Sequence, residues 1–238
     1  MKGKKRFWLR LLAVLLLLAA CLALYAGVYY RADARALEVL RAEGDVRITQ
    51  TDYGWLFDGP SVTDALIFYP GGKVEETAYA PLLRELAAEG TDVCLVKMPL
   101  RLAVLAPDRA DAVMAQYAYE NWYIGGHSLG GTVAALYAAE HGSALRGLVL
   151  LAAYPTKPLD GALRVVTVCG TEDGVLNRAR LAEGRQYLPE DAVYCEIDGG
   201  NHAQFGSYGP QRGDGEPEIP PEEQWAETAA LLSSLSAA

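Results

Sequence analysis

Cysteine and histidine are scarce in this sequence, and each occurrence stands alone. The 238 residues contain four cysteines and three histidines. Cys94, Cys169 and Cys195 follow the first thirty residues at irregular spacing, and an odd number of this kind does not form a disulfide framework. Neither residue type occurs at the spacing of zinc ligands. We therefore expect neither a metal ion nor a cofactor.

Basic residues are also few outside the N-terminus. The chain has 21 lysines and arginines against 30 acidic residues, which gives a net charge of −9. Five of the basic residues and none of the acidic ones lie in residues 1–10, so the remainder has 16 against 30, a net charge of −14. An acidic domain repels phosphate, which argues against nucleic acid or an anionic membrane surface as a partner.

One long uncharged run, residues 11–30, follows the basic head. A helix of that length rises about 30 Å, enough to cross the hydrocarbon core of a bilayer. The positive-inside rule places the head in the cytoplasm and the following domain outside. We predict a single-pass signal anchor over residues 1–30. A cleaved secretory signal is one alternative. A lipoprotein signal is another, because the Leu-Ala-Ala sequence before Cys21 resembles a lipobox.

Short apolar runs alternate with helical patterns along the rest of the chain. Residues 31–44 are interpreted as a linker helix that ends at Gly44, and residues 45–238 as one domain. Apolar runs such as 65–69 and 92–96 are typical of strands that are buried on both faces. Strands that alternate with helices form right-handed βαβ units. We predict an α/β domain with a mostly parallel sheet, helices on both faces and an antiparallel edge.

A nucleophile is indicated by Gly126-His127-Ser128-Leu129-Gly130, which fits G-x-S-x-G between an apolar strand and a helix of small residues. This is the context of a nucleophile elbow. The sharp turn exposes the hydroxyl, and the glycines allow backbones to approach where a Cβ would clash. The helix N-terminus then lies under developing negative charge. Ser128 is the candidate nucleophile.

A serine hydroxyl needs a base, and only three histidines can supply one. His127 adjoins the serine on the same turn, so its side chain should diverge from the direction of attack. His141 ends the following helix, about 20 Å from its start. His202 follows the last predicted strand, at the carboxyl edge of the sheet, and we predict it as the general base.

The imidazole in turn needs a carboxylate that holds its tautomer. Asp173 follows the next-to-last predicted strand and is our choice. Glu172 is the nearest rival, and Asp198 is a weaker one because it lies only four residues from His202.

An oxyanion hole needs two aligned backbone N–H donors. One should come from Leu129, the residue after the nucleophile, and the other from the turn after the first buried strand. Pro70 has no N–H group. The second donor is then Gly71, Gly72 or Lys73, and we favour Gly72.

Residues that follow other strand ends are candidates for a substrate pocket, and these are Met98, Leu100 and Tyr154. Asn201 and Gln204, beside the candidate base, either brace its loop or contact the substrate.

With these residues in place, the chain resembles the α/β-hydrolase superfamily, which has the same order of nucleophile, acid and base. It is similar to small, lidless, membrane-anchored bacterial members that are distantly related to dienelactone hydrolases. The segments that carry the resemblance are 69–74, 96–100, 125–131, 170–174 and 200–206. The family's catalytic triad carries over onto Ser128, Asp173 and His202, and its oxyanion donors onto Leu129 and Gly72.

Two departures from the family pattern matter. Many relatives have His-Gly before the oxyanion turn, where this chain has Tyr69-Pro70-Gly71, which leaves the second donor open. Dienelactone hydrolases use cysteine where this chain has Ser128, so their substrate is not transferred.

The resemblance implies a serine hydrolase that cleaves a carboxylic ester of a small molecule through an acyl-enzyme. Residues 152–163 are too few for a cap domain, so we expect an open site. Residues 208–221, rich in glycine and proline, form either an ordered or a mobile loop. An acyltransferase or peptidase on the same triad and a non-catalytic binding module are the alternatives. The sequence indicates no oligomeric state.

Overall fold

Eight strands form one twisted sheet in the computed structural model, which describes residues 2–60 and 63–233. The strands are β1 (Arg47–Gln50), β2 (Gly54–Asp58), β3 (Asp64–Tyr69), β4 (Asp92–Val96), β5 (Asn121–His127), β6 (Gly147–Leu151), β7 (Arg164–Gly170) and β8 (Val193–Ile197). Their order across the sheet is β1-β2-β4-β3-β5-β6-β7-β8. The pairs β1–β2 and β2–β4 are antiparallel and the other five are parallel. The predicted fold class and the antiparallel edge are confirmed.

Seven α-helices lie in the described ranges. They are α1 (Lys2–Gly27), α2 (Ala34–Val39), α3 (Ala80–Ala88), α4 (Arg109–Met114), α5 (Leu129–His141), α6 (Arg178–Gly184) and α7 (Pro221–Ser233). Residues 152–163, between β6 and β7, contain no helix or strand. The domain therefore has no cap over the carboxyl ends of these strands.

Strands β3 to β7 are buried along nearly their whole length, and because successive side chains point to opposite sides of the sheet, both of its faces are covered there. Phe68 and Leu95 belong to one apolar cluster, which α3 and α7 cover. Ile67 and Cys94, their neighbours in sequence, belong to a second cluster on the other face, where α5 packs. Continuous apolar runs in the sequence follow directly from this two-sided cover.

Helix α5 approaches the sheet unusually closely at its first turn. A Cβ on Gly130 would lie 2.2 Å from the carbonyl oxygen of Tyr69 and 2.3 Å from that of Pro70. Only glycine fits a contact of this kind between a helix and the backbone of a neighbouring turn. The glycine thereby fixes the start of α5 against the turn that follows β3.

Helix α1 is long and apolar enough to cross a membrane: within Lys4–Gly27, an 18-residue window has a mean hydropathy of 2.5, and none of that window is buried inside the structure. It ends at Gly27, earlier than the predicted Tyr30. The reason is that Tyr30 pairs with the domain: its N–H donates to the carbonyl of Lys73 at 2.8 Å, and its carbonyl accepts from the N–H of Glu75 at 2.9 Å. A residue whose backbone bonds are used in this way cannot continue a helix.

Two other predicted helices are shorter in the structure. The predicted linker helix of residues 31–44 is reduced to α2, whose first turn is capped by the Asp33 carboxylate at 3.0 Å from the N–H of Ala36. The sequence pattern of residues 108–119 predicts a helix that ends at Tyr119, whereas α4 ends at Met114. The Tyr119 hydroxyl instead donates to Asp92, so long-range contacts replace the last helical turns.

The close approach at Gly130 predicts a large effect of one methyl group. Gly130→Ala should lower the free energy of unfolding by about 3 kcal/mol, because backbone atoms on both sides cannot move aside. Gly161→Ala is the matched control, since no atom lies within 4 Å of a Cβ at that position. Urea unfolding of the full chain in detergent would measure both, and equal stability of the two variants would contradict the close contact.

Candidate active site

The elbow predicted around Ser128 lies between β5 and α5, where the chain turns from the sheet into the helix. Ser128 has φ 53° and ψ −123°, a backbone conformation that residues other than glycine rarely adopt. Its N–H donates to the carbonyl of Leu151 at 2.9 Å, which holds the turn against β6. The half-buried serine side chain is thus presented at the carboxyl edge of the sheet.

His202 and Asp173 lie together on the loops that follow β8 and β7. His202 Nδ1 is 2.8 Å from Asp173 Oδ2, and both side chains are almost fully buried. The other carboxylate oxygen accepts from the N–H groups of Val175 at 2.9 Å and Leu176 at 2.7 Å. These bonds fix the carboxylate, and a proton on Nδ1 directed at it leaves the Nε2 lone pair as the basic site.

Ser128 and His202 are brought close but not joined. The His202 ring packs at 4.4 Å, centroid to centroid, from the ring of His127, which immediately precedes the serine. Among the described residues, His202 Nε2 has no hydrogen-bond partner. The bond between serine and histidine is therefore not formed here, a common state of such sites before substrate binds.

The two rival carboxylates do not contact the imidazole. Asp198 is exposed at the end of β8, and Glu172 is half-buried. The backbone N–H of Glu172 donates to the carbonyl of Gly200 at 2.9 Å, so the Glu172 segment ties the acid loop to the histidine loop. Asp173 is the acidic residue that the structure brings to His202.

The turn after β3 leaves one candidate oxyanion donor free. The N–H of Gly71 donates to the Tyr79 hydroxyl at 2.9 Å, and the N–H of Lys73 donates to the carbonyl of Arg101 at 2.8 Å. Within the described chain, the N–H groups of Gly72 and Leu129 have no acceptor. A Cβ on Gly72 would lie 2.8 Å from Leu129 Cδ2 and 3.3 Å from Leu129 Cβ, so the two residues are neighbours.

A buried polar contact behind the elbow was not predicted from the sequence. Tyr79 places its hydroxyl 2.8 Å from His127 Nδ1, while the same oxygen accepts from the N–H of Gly71. Burial, and then the neighbouring His202, hold the pKa of the His127 imidazole well below its ordinary value. Burial raises the pKa of the Tyr79 hydroxyl. Both groups are neutral at pH 7, and together they connect the elbow to the oxyanion turn.

Asp214 was also missed, because it lies in the glycine- and proline-rich stretch whose order the composition left open. Its carboxylate accepts from the N–H of Gly174 at 3.1 Å, of His202 at 3.2 Å and of Ala203 at 2.8 Å. The loop is ordered, and it clamps the acid loop and the histidine loop together. An aspartate among glycines carries no sequence signal for this role.

Asn201 and Gln204 brace the histidine loop. Asn201 Nδ2 donates to the carbonyl of Gly215 at 2.8 Å, and its Oδ1 accepts from the N–H of Gln204 at 3.0 Å. The buried side chain of Gln224 in α7 bonds both backbone groups of Asn201, at 3.0 and 2.9 Å. The loop is therefore held from two sides.

The three predicted pocket residues are not gathered around the serine. Met98 is buried and Leu100 is 39% exposed, and both line a cavity of about 340 Å³ with Arg101 and Arg109. Tyr154 is half-buried and lines a different cavity of about 80 Å³ beside α6. Neither cavity is lined by Ser128, Asp173 or His202.

Comparison with known proteins agrees with this geometry. The sequence signature described as "Alpha/beta hydrolase family" matches residues 65–226, more than half of the chain. The chain belongs to the α/β-hydrolase family. This membership supports a hydrolase activity, and it confirms the resemblance drawn from the motifs. No curated protein sequence gives a significant match to this hydrolase.

Several solved structures share the fold of the hydrolase at low sequence identity. A bacterial membrane phospholipase A has a TM-score of 0.60 at 14% identity, with 98% of this chain and 100% of that chain covered. A dienelactone hydrolase from Anabaena variabilis has a TM-score of 0.58 at 14% identity, with 81% and 97% covered. A carboxylesterase from Bacillus subtilis has 0.55 at 11% identity, with 83% and 94% covered. Likeness at this level of identity shows the fold.

The contact behind the elbow gives a prediction about stability. Tyr79→Phe should lower the free energy of unfolding of the hydrolase by about 1–3 kcal/mol, because the N–H of Gly71 and Nδ1 of His127 would lose a buried partner. Tyr53→Phe is the control: its hydroxyl lies 3.1 Å from that of Tyr117, which is half-buried and can bond water instead. Urea unfolding of both variants would test this, and a neutral Tyr79→Phe would show that the contact does not hold the turn.

Proposed function

We propose that this protein is a membrane-anchored serine hydrolase that cleaves a carboxylic ester through an acyl-enzyme. Ser128 is the nucleophile, His202 the general base and acid, and Asp173 the residue that orients His202. The observation that carries the proposal is the buried pair of His202 and Asp173, packed beside a serine with a strained backbone at the end of a strand. Strain of this kind is concentrated at functional sites.

The reaction follows from the bonding of the imidazole. His202 Nε2 takes the proton from Ser128 Oγ as that oxygen bonds to the carbonyl carbon of the ester. His202 then gives the proton to the leaving alcohol, and the bond between the acyl carbon and the alcohol oxygen breaks. Water, activated by the same nitrogen, attacks the acyl-enzyme and releases the acid. Asp173 stays ionised throughout and stabilises the imidazolium.

The oxyanion is assigned to the N–H groups of Gly72 and Leu129. These two donors have no other acceptor among the residues that the structure describes, and the residues that carry them are neighbours. Leu129 is also the first residue of α5, so the positive end of the helix dipole adds to the stabilisation of negative charge. Preorganised donors of this kind are usually a large part of catalysis.

Helix α1 is assigned as the membrane anchor, with the catalytic domain on the extracytoplasmic side. The support is the length and apolarity of Lys4–Gly27 and the basic residues at its start. Two of the similar structures are a membrane phospholipase A and a carboxylesterase by name, which agrees with an ester substrate.

Replacing the nucleophile or base tests the assignment directly. Ser128→Ala and His202→Ala should each lower kcat for a short-chain ester by at least about 10³-fold, because each removes part of one catalytic unit. A fluorophosphonate probe should label the wild-type chain and neither variant. Full esterase activity of Ser128→Ala would refute the nucleophile, and a folded wild type that takes no label would favour a binding module.

A conservative pair distinguishes the acid from its neighbour. Asp173→Asn should lower kcat by about 10⁴-fold, because an amide favours the wrong imidazole tautomer. Glu172→Gln should change the activation free energy by less than about 0.5 kcal/mol, as is usual for a substitution outside such contacts. Steady-state kinetics on the short-chain ester measure both, and the opposite order of effects would exchange the two roles.

A further inference from the structure

The chain that follows helix α1 reaches the candidate active site within three residues. Tyr30, three residues after the end of α1, is hydrogen-bonded on both sides to Lys73 and Glu75. Three extended residues span at most about 11 Å. The free oxyanion donor, Gly72, is the residue next to Lys73. The site therefore lies within about one headgroup layer of the end of the helix.

Side chains reinforce this connection on the same side of the site. The Lys73 ammonium lies 4.0 Å from the centroid of the Tyr25 ring and donates to the Tyr25 carbonyl. The Arg101 guanidinium lies 3.3 Å from the centroid of the Tyr29 ring. Tyrosines are enriched where a membrane meets water, and long cationic side chains reach the headgroups from there. These four residues have the chemistry of a membrane interface.

Exposed apolar side chains lie on the same side of the candidate site. Beyond residue 30, five large hydrophobic residues of the described chain are exposed, and three of them lie on one loop: Leu100, Val104 and Leu105, at 39%, 53% and 52%. The loop bonds the oxyanion turn through the carbonyl of Arg101 and packs on α5, which begins beside Ser128. Its backbone is held at positive φ at Leu100 and Arg101. A local concentration of exposed apolar groups marks an interaction surface.

Lys73, Leu100, Arg101, Val104 and Leu105 form a rim on this side of the site. The charge of this rim is opposite to that of the domain. Lys73 and Arg101 lie on it, while the residues after the basic head carry a net charge of −14. Lys97, at its border, lies 3.6 Å from the Glu76 carboxylate. The acidic domain as a whole argues against an anionic surface, and Lys73 and Arg101 are a local exception to it on this face. Cations beside apolar residues match the phosphates and acyl chains of a lipid monolayer.

We propose that the rim formed by Lys73, Leu100, Arg101, Val104 and Leu105 lies on the bilayer, and that the substrate is an acyl ester of a membrane lipid. The proposal rests on the proposed function and names its substrate class. The lipid reaches Ser128 along the membrane surface, with its ester at the level of the headgroups. The bilayer covers the side of the site that has no cap domain.

The test compares two ester substrates with one enzyme. The full chain is reconstituted in vesicles of phosphatidylcholine and phosphatidylglycerol, and release of fatty acid from these lipids is measured. Hydrolysis of dissolved p-nitrophenyl butyrate is measured in the same vesicles. Cleavage of the dissolved ester without any release from lipid would overturn the lipid substrate and leave the proposed function standing. Cleavage of neither would overturn the proposed function.

A matched pair of variants tests the rim. Val104→Asp/Leu105→Asp should lower fatty acid release by about tenfold or more, because carboxylates resist transfer into the interface, and should leave the dissolved ester unaffected. Val193→Asp, on an equally exposed valine at the amino end of the edge strand β8, should change neither rate. An equal loss on both substrates would overturn the rim as a membrane contact. The rim would also be overturned as a membrane contact if the variant dissociated a dimer while the rate of fatty acid release stayed unchanged.

A second variant leaves the domain untouched. Inserting a flexible Gly/Ser segment of about ten residues after Gly27 lets the domain move away from the bilayer by a root-mean-square distance of about 18 Å. Fatty acid release should fall while hydrolysis of the dissolved ester persists. An unchanged release of fatty acid would show that the short connection does not place the site on the membrane.

Discussion

The contact between the start of α5 and the turn after β3 is the constraint on which the site depends. Gly130 lets the backbone of the helix lie against the carbonyls of Tyr69 and Pro70, and no larger residue could. That approach places Leu129 beside Gly72 and sets Ser128 at the edge of the sheet. Two segments far apart in sequence are thereby aligned by close backbone packing, to which the Tyr79 hydroxyl adds its bonds to Gly71 and His127.

Around this contact, the buried polar side chains differ in charge: Asp173 is a hydrogen-bonded carboxylate, whereas His127 and Tyr79 are neutral. The Asp173 carboxylate is buried but accepts bonds from His202 and from two backbone N–H groups, which offsets its loss of water. His127 and Tyr79, on the other side of the elbow, are kept neutral by burial. The neutral pair therefore holds the turn after β3 against the elbow without placing a second charge beside His202.

Periodicity and motif spacing predicted most of the sheet, and they named the Asp173 and His202 side chains that the structure brings together. Strand β4 has the predicted bounds, Asp92–Val96, because a buried apolar run between turn residues has few other solutions. Long-range hydrogen bonds could not be predicted. The helical spacing of residues 79–89 predicts only that Tyr79 begins a helix, and composition places Asp214 only in a loop, yet both bond segments that carry candidate site residues. Local sequence reports propensity, whereas these roles depend on which segments meet after folding.

The pairing of Tyr30 with the turn after β3 also defines where the folded domain begins. A chain shortened at the end of the apolar run would lack Tyr30. It would therefore lose the two backbone hydrogen bonds that Tyr30 forms with Lys73 and Glu75, on either side of Val74. Trimming at Gly27 instead retains this single-residue strand. The residues between α1 and α2 are thus structural members of the domain rather than a passive tether, and a chain cut at Gly27 would lose the apolar helix while it kept the turn after β3 intact.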